Sequence, residues 1–265
     1  MSGTAANAPV DTGSSHAPEP VSREGRRLVR YLGTPLLVGA AMFALYLYMS
    51  SLGLDSIEQR RLNPTVIRRQ IETHLYLVSI STAIVLALML PLGVALTRPF
   101  ARRFVTPIVG MANIAQATPS LGVMVLVGLV IGFGTQPAIV ALVAYSALPI
   151  LRNTMVGLHQ VDEFIIESGR GMGLTKAQVL FGIELPLAVP VMLAGVRTAL
   201  IINTGTATLA TFIGGRGLGG LINTGLSLGR PTTIAFTGAV IVAGLALMID
   251  WLAGIAEDVL SPRGL

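Results

Sequence analysis

The chain has 265 residues, 52% of them hydrophobic and only 12% charged, with a net charge of +5 and no cysteine. Soluble domains carry about 25% charged residues, so this composition lacks a soluble fold's polar surface and describes a membrane protein. It excludes disulfides and thiolate metal sites, and in a membrane chain a basic excess sets orientation rather than binding nucleic acid.

Residues 1–22 are small, polar and proline-bearing, a composition that cannot bury enough surface to order itself. With "REGRRLVR" they form a predicted disordered cytoplasmic tail, residues 1–30. Tyr31 to Leu54 then carries no Asp, Glu, Lys or Arg. This run exceeds the apolar region of about 7–15 residues in a secretory signal and lacks a small-x-small cleavage site, so it predicts an uncleaved first helix. Residues 31–71 are that helix plus an extracytoplasmic segment holding the basic "EQRRLNPTVIRRQ".

Further uncharged runs follow at Thr73 to Thr97, Phe104 to Leu151 and Pro231 to Ile249, while Leu185 to Gly215 contains only Arg197. The second is long enough for two crossings at about 20 residues each. The prediction is an all-α polytopic membrane protein with about six transmembrane helices, one or two of them broken. Alternation places residues 98–104, 152–186 and both ends inside, with 55–71, 134–137 and about 214–231 outside. Eleven basic residues then lie inside against six outside, which agrees with cytoplasmic amino and carboxyl ends.

Two interruptions mark a candidate translocation path. Pro119 in "ATPS" removes a backbone donor and disfavours helix at Thr118, and "NTGTATLATFIGGRGLGG" is rich in Thr and Gly at membrane depth. Irregular backbone at that depth survives only when buried in protein or lining a cavity. Thr118, Pro119, Ser120, Asn203, Thr204, Thr206 and Thr208 are the candidates, and a packing kink or small-residue interface is the competing reading. Gly128 and Gly132 form a GxxxG, which permits close helix approach.

Gly215, Gly217 and Gly220 spell the dinucleotide fingerprint, but without the strand that motif requires. The only lysine, Lys176, follows Thr175 rather than glycine, so no P-loop resides here. His16, His74 and His159 are far apart and form no metal set. The charges near membrane depth are Arg197 and Asp250, predicted to pair with each other as a structural contact, since either alone in lipid is costly, with a place for Arg197 on the path as the alternative.

One loop stays polar. In "ESGRGMGLTKAQVLFGIELP", residues 167–186, Phe164, Ile165 and Ile166 lead into Glu167 as a short amphipathic helix. Gly169, Gly171 and Gly173 weaken its continuation at about 1 kcal/mol each. Thr175 can cap a second helix that Pro186 interrupts. Such a surface-parallel helix-turn-helix suits partner docking, with an ordinary interfacial loop as the alternative.

This stretch resembles the EAA loop of ABC importer membrane subunits: Glu167, Ser168 and Gly169 fill the E-A-A places, Gly173 the glycine, and Ile183, Leu185 and Pro186 the I-x-L-P end. "IAQATPSLGVMVLVGL", "YSALPILRNT", "ELPLAVPVMLAGVRTAL" and "ATFIGGRGLGGLI" are similar to the osmoprotectant branch that imports glycine betaine, carnitine and choline. The resemblance implies a type I importer permease core of the methionine-permease (MetI-like) kind over residues 72–255, a coupling loop at 152–186 and a cytoplasmic tail at 256–265. It further implies a bacterial inner-membrane location and two copies of an ATP-binding subunit, which hold ATP and Mg. A second permease subunit, identical or related, and an extracytoplasmic solute-binding protein complete the implied assembly. No cofactor, metal or catalytic residue is expected on this chain. Trp251 and the dispersed tyrosines form no visible aromatic cage, which agrees with substrate selection by a separate protein. The alternatives are a methionine-type amino-acid importer, or a self-sufficient channel or carrier; the latter lacks an intramembrane acidic relay.

Overall fold

The computed structural model describes residues 23–260, with side chains from Tyr31 onward; residues 1–22 and 261–265, and the predicted tails that fall on them, lie outside the described residues. All regular structure among the described residues is helical. The first helix, α1 (Arg23–Ser51), takes in residues 23–30, which the sequence reading gave to the tail.

A short α2 (Ser56–Arg61) follows, capped by Asp55, whose side chain accepts from the amides of Ile57 and Glu58 while the Glu58 side chain accepts from the Asp55 amide. That reciprocal box satisfies otherwise orphaned donors. Asn63 caps α3 (Pro64–Leu96), and Pro64 sits in its first turn, where a missing amide is harmless. With 33 residues, α3 is about 50 Å long, well beyond a hydrocarbon core of about 30 Å. Its charged first turns, with Arg68, Arg69 and Glu72, therefore stand outside the apolar layer.

Next come α4 (Arg102–Ala117) and α5 (Ser120–Ile131), bent by 107° where Thr118 turns extended ahead of Pro119. Proline offers no amide to continue the ladder, and the Thr118 hydroxyl caps the Ile114 carbonyl at 2.8 Å instead. Neither piece alone reaches across a bilayer. Counting the bent pair as one span gives six crossings, and leaving it out gives five. Gly132, half of the GxxxG pair, ends α5 at φ +96° and so does not belong to a continuous helix face.

The central helix is α6 (Thr135–His159), flanked by α3, α4, α5 and α9. Close approach depends on small residues: a Cβ at Gly195 of α9 would meet Asn153 Cβ at 2.6 Å and the Pro149 carbonyl at 2.9 Å. One buried cluster joins Leu77 and Val78 of α3 to Met124, Leu142 and Ile213. After α6 the chain makes α7 (Glu163–Gly171) and α8 (Lys176–Val179), passes through a π-turn at Leu180–Glu184 and enters α9 (Leu185–Thr206). Pro186 was expected to interrupt this path. It does not: it occupies the start of α9, where the wide π-turn precedes it, and helical backbone runs unbroken from Lys176 to Ile213. A 3₁₀ stretch, Ala207–Ile213, leads to α10 (Gly219–Ser227), and a second π-turn at Pro231–Ala235 opens α11 (Phe236–Leu260). Residues 256–260, assigned to the tail from sequence, are the last turns of α11.

Candidate functional site

At the α7 end of the bundle, the polar loop is a two-helix hook. Asp162 caps α7 through the Phe164 amide at 2.9 Å. Thr175 caps α8 in a second reciprocal box with Gln178. Between them Gly173 adopts φ +87°, a left-handed turn that side chains resist by about 1–2 kcal/mol.

Gly169 is the buried point of α7, and a Cβ there would lie 2.6 Å from Ile183 Cδ1. The small residue in an E-A-A place is thus the seat for the isoleucine of the I-x-L-P end, which fixes the hook's angle. The helix loosening expected at Gly169 gives way to this contact. Ser168 turns its hydroxyl back to the Phe164 carbonyl at 2.7 Å, and Glu167 is exposed. Leu185 is half-buried and Pro186 exposed at the root of α9.

The outward face carries Phe164, Met172 and Phe181, with exposures of 78%, 75% and 69%. Interleaved with Glu163, Glu167, Arg170 and Lys176, these apolar side chains form a surface fit to dock another protein. The sequence reading placed Phe164 on the helix but did not single out Met172 or Phe181. Their signal was their position, on either side of the Gly173 turn.

The candidate path residues divide into two places. Thr118, Pro119 and Ser120 lie at the α4–α5 bend, exposed or half-buried. Asn203 and Thr204 are fully buried against α3: Asn203 Nδ2 donates to Thr82 Oγ1 at 3.1 Å, and the Thr204 carbonyl meets His74 Nε2 at 3.0 Å. Thr206 and Thr208 are half-buried, and Thr208 donates to the Gly205 carbonyl at 2.7 Å. Asn203 Oδ1 and His74 Nδ1 are buried without a partner. His74, read from sequence only as a lone histidine, is the side chain that meets α9 just before the helix tightens to 3₁₀.

Arg197 and Asp250 are in contact, Nε to Oδ1 at 2.5 Å and Nη2 to Oδ2 at 2.8 Å. This fork matches guanidinium to carboxylate in two parallel bonds. Glu257, two turns further along α11, adds a second carboxylate at 3.5 Å, a member missed because sequence counting gave it to the tail. A cavity of about 190 Å³ beside the pair is also lined by Tyr31 and Trp251, and Trp251 Nε1 donates to the Tyr31 carbonyl at 3.0 Å. The indole and its neighbour thus tie α11 to α1.

At the opposite, α2 end, Arg230 reaches Asp55 at 2.5 Å and Glu58 at 3.8 Å, and the Thr233 hydroxyl donates to Glu58 at 2.6 Å. The Thr233 hydroxyl above all, with the Asp55 amide, holds the Glu58 carboxyl below its usual range; the Glu58 amide does the same for Asp55. This clasp joins the α1–α3 connection to the start of α11. No group of His, Asp or Glu among the described residues has metal-ligand geometry.

A family model described as binding-protein-dependent transport system inner membrane component matches residues 89–261. The chain is 44% identical over 192 residues to the glycine betaine/carnitine/choline transport system permease protein OpuCB of Bacillus subtilis, covering 72% of this chain and 87% of that protein. It is 38% identical over 236 residues to the osmoprotectant import permease protein OsmY of Salmonella typhimurium, covering 89% and 97%. In fold it is similar to a chain of the MetNI methionine ABC transporter in an inward-facing conformation, with TM-score 0.67, 24% identity and coverage of 74% and 96%.

Proposed function

Because the chain belongs to the family of binding-protein-dependent transport system inner membrane components, we propose that it forms the passage of an ATP-driven importer for glycine betaine, carnitine, choline or a similar compatible solute. As a permease of that family it is a multi-pass inner-membrane protein and not an enzyme, and it works with an ATPase and a substrate-binding protein. The solute reading is supported by the relatives, which carry those solutes in their names at 36–45% identity. The likeness to a methionine transporter, at 24% identity, supports the fold and is consistent with the amino-acid alternative; the named relatives favour the solute reading over it.

The observation that carries the mechanism is the hook, seated by Ile183 in Gly169 and presenting Phe164, Met172 and Phe181. We read it as the coupling surface, with Glu167, Ser168, Gly169, Gly173, Ile183, Leu185 and Pro186 as its frame. Two ATP-binding subunits, which hold ATP and Mg, dock on the hooks of two permease chains, identical or related. The hooks and both chain ends then face the cytoplasm, and the clasped α2 end faces the solute-binding protein. ATP-driven closure of the partners moves the hooks, and the bundle opens to the opposite side. Neutral, half-buried Thr206 and Thr208 and the bend at Thr118–Ser120 offer a polar but weakly binding passage, as expected where selection happens on another protein.

The test is purification of the tagged chain in mild detergent, identification of its companions, and uptake assays in proteoliposomes. Recovery of a P-loop ATPase and uptake of labelled glycine betaine, carnitine or choline is the expected result. Uptake of methionine alone would transfer the assignment to the amino-acid branch. A folded chain that conducts solute without an ATPase would replace the importer reading with a channel.

A further inference from the structure

Arg98, just beyond the last residue of α3, turns inward rather than toward solvent, unlike its neighbours Arg102 and Arg103, which are exposed. It forms a fork with Glu184: Nη1 to Oε1 at 3.2 Å and Nη2 to Oε2 at 2.5 Å. The Glu184 side chain is 6% exposed and that of Arg98 27%. Glu184 is the x of the I-x-L-P end, the last residue of the π-turn between hook and α9. Such turns inside a helix reorient the side chains they carry and are frequent at functional sites. The partners are 86 residues apart in sequence, so the pair joins two spans at the root of the hook.

The same two helices are bonded twice more, at Thr82–Asn203 and at His74–Thr204. From position 74 to the end of α3 at Leu96 is about 33 Å of helix, more than the apolar thickness of a bilayer. At its far end, His74 lies under the glycine-rich segment: a Cβ on Gly217 would come within 3.2 Å of Nδ1. The two inner links are buried and the Glu184 side of the fork nearly so, so separating the helices strands donors and acceptors where water is scarce.

We propose that Arg98 is a positioning residue for ATP coupling: its fork to Glu184 fastens α3 to the hook, so that α3 and α9 move as one body and carry the hook's displacement to the Gly217 end. The proposal rests on the importer reading, and it assigns the pair a transmitting role beyond charge neutralisation. Removing one partner alone would leave a buried charge and confuse coupling with folding, whereas replacing both by apolar residues of similar volume is often neutral for stability.

The experiment uses the assembled complex in proteoliposomes, carrying R98M/E184M or the swap R98E/E184R. The first readout is labelled glycine betaine imported per ATP hydrolysed. The second is maleimide labelling of a lone reporter, Ser227→Cys, with and without vanadate trapping, which the cysteine-free chain permits. R98M/E184M is expected to assemble and hydrolyse ATP, while solute per ATP falls at least about fivefold and the vanadate response disappears. The swap is expected to restore both. A double-neutral variant within about twofold of wild type on both readouts overturns the proposal, because a merely neutralising pair predicts that result. If R98M/E184M fails to assemble, R98K decides: it keeps the charge and loses the fork, so wild-type coupling in R98K overturns the proposal and a lowered solute-per-ATP ratio supports it. A wild-type complex that hydrolyses ATP but imports none of the three solutes sinks the solute reading alone, and the vanadate response still judges the strut. Reporter labelling that ignores vanadate in the wild type removes the motion the strut is said to carry, and the proposal with it.

Discussion

Gly219 and Gly220 open α10 side by side, yet their surroundings differ sharply. A Cβ on Gly219 would stand 1.8 Å from the Thr208 carbonyl oxygen and 2.6 Å from its carbon. On Gly220 the nearest atom is the Gln70 side-chain nitrogen at 3.5 Å, an ordinary contact. Carbon–oxygen approaches normally stop at about 3.3 Å, so Gly219→Ala must push the α10 backbone away from the Thr208 backbone by about 1.5 Å. Overpacking of this kind costs about 1–3 kcal/mol and at times more. Alanine returns about 1 kcal/mol of helix propensity at either position. We therefore expect Gly220→Ala to be neutral or mildly stabilising and Gly219→Ala to fall about 2–3 kcal/mol below it. At about 2–4 °C per kcal/mol, the two variants should differ by about 4–12 °C in Tm. Thermal unfolding of the detergent-purified complex measures it directly. Equal Tm values for the two variants would refute the close seating of α10 on the 3₁₀ stretch, and with it the placement of Thr208.

The hook gives a second expectation. Gly173→Asp, which strains the turn at φ +87°, and Glu167→Lys, which reverses an exposed charge, should lose ATPase co-purification while inserting normally; intact coupling in both would remove the hook from the mechanism. For the fork on α9, Arg197→Leu and Asp250→Leu should each lower folded yield, with partial recovery in the double variant. An Arg197→Leu chain that folds fully but transports nothing would place Arg197 on the path instead. The clasp at the α2 end predicts a pH dependence. Its two carboxyls are held below their usual range, so their contribution is complete above about pH 5 and disappears as pH falls through the lowered folded-state values. Wild type should therefore lose Tm more steeply than D55N/E58Q between about pH 5 and pH 3, and parallel curves would argue against the clasp.

Much of this was legible before any coordinates. Pro119 announced the bend because a missing amide is visible in one letter, and the number of spans followed from uncharged runs of sufficient length. Arg197 and Asp250 were matched because few charges stand at membrane depth. The glycines of the hook were legible through spacing, but not their purpose: a buried seat at Gly169 and a left-handed turn at Gly173 look identical in sequence. Pro186 misled because proline breaks a helix interior yet suits a helix start, and a preceding π-turn has no composition of its own. His74 and the Arg98–Glu184 fork were illegible for a simpler reason. Their partners lie 130 and 86 residues away, and nothing local records who meets whom.

The seam between α1 and α11 has a consequence for how the molecule comes into being. Val38 and Met42 of α1 meet Gly244, Trp251 bonds the Tyr31 carbonyl, and the Tyr31 hydroxyl reaches Asp258 across 227 residues of chain. Among the described residues, α11 is the helix that packs extensively on α1. At about 5–20 residues per second, a ribosome needs about 11–45 s to travel from Tyr31 to Asp258. Throughout that interval the first helix waits in the membrane without its mate. A nascent chain halted before α11 should thus hold α1 loosely.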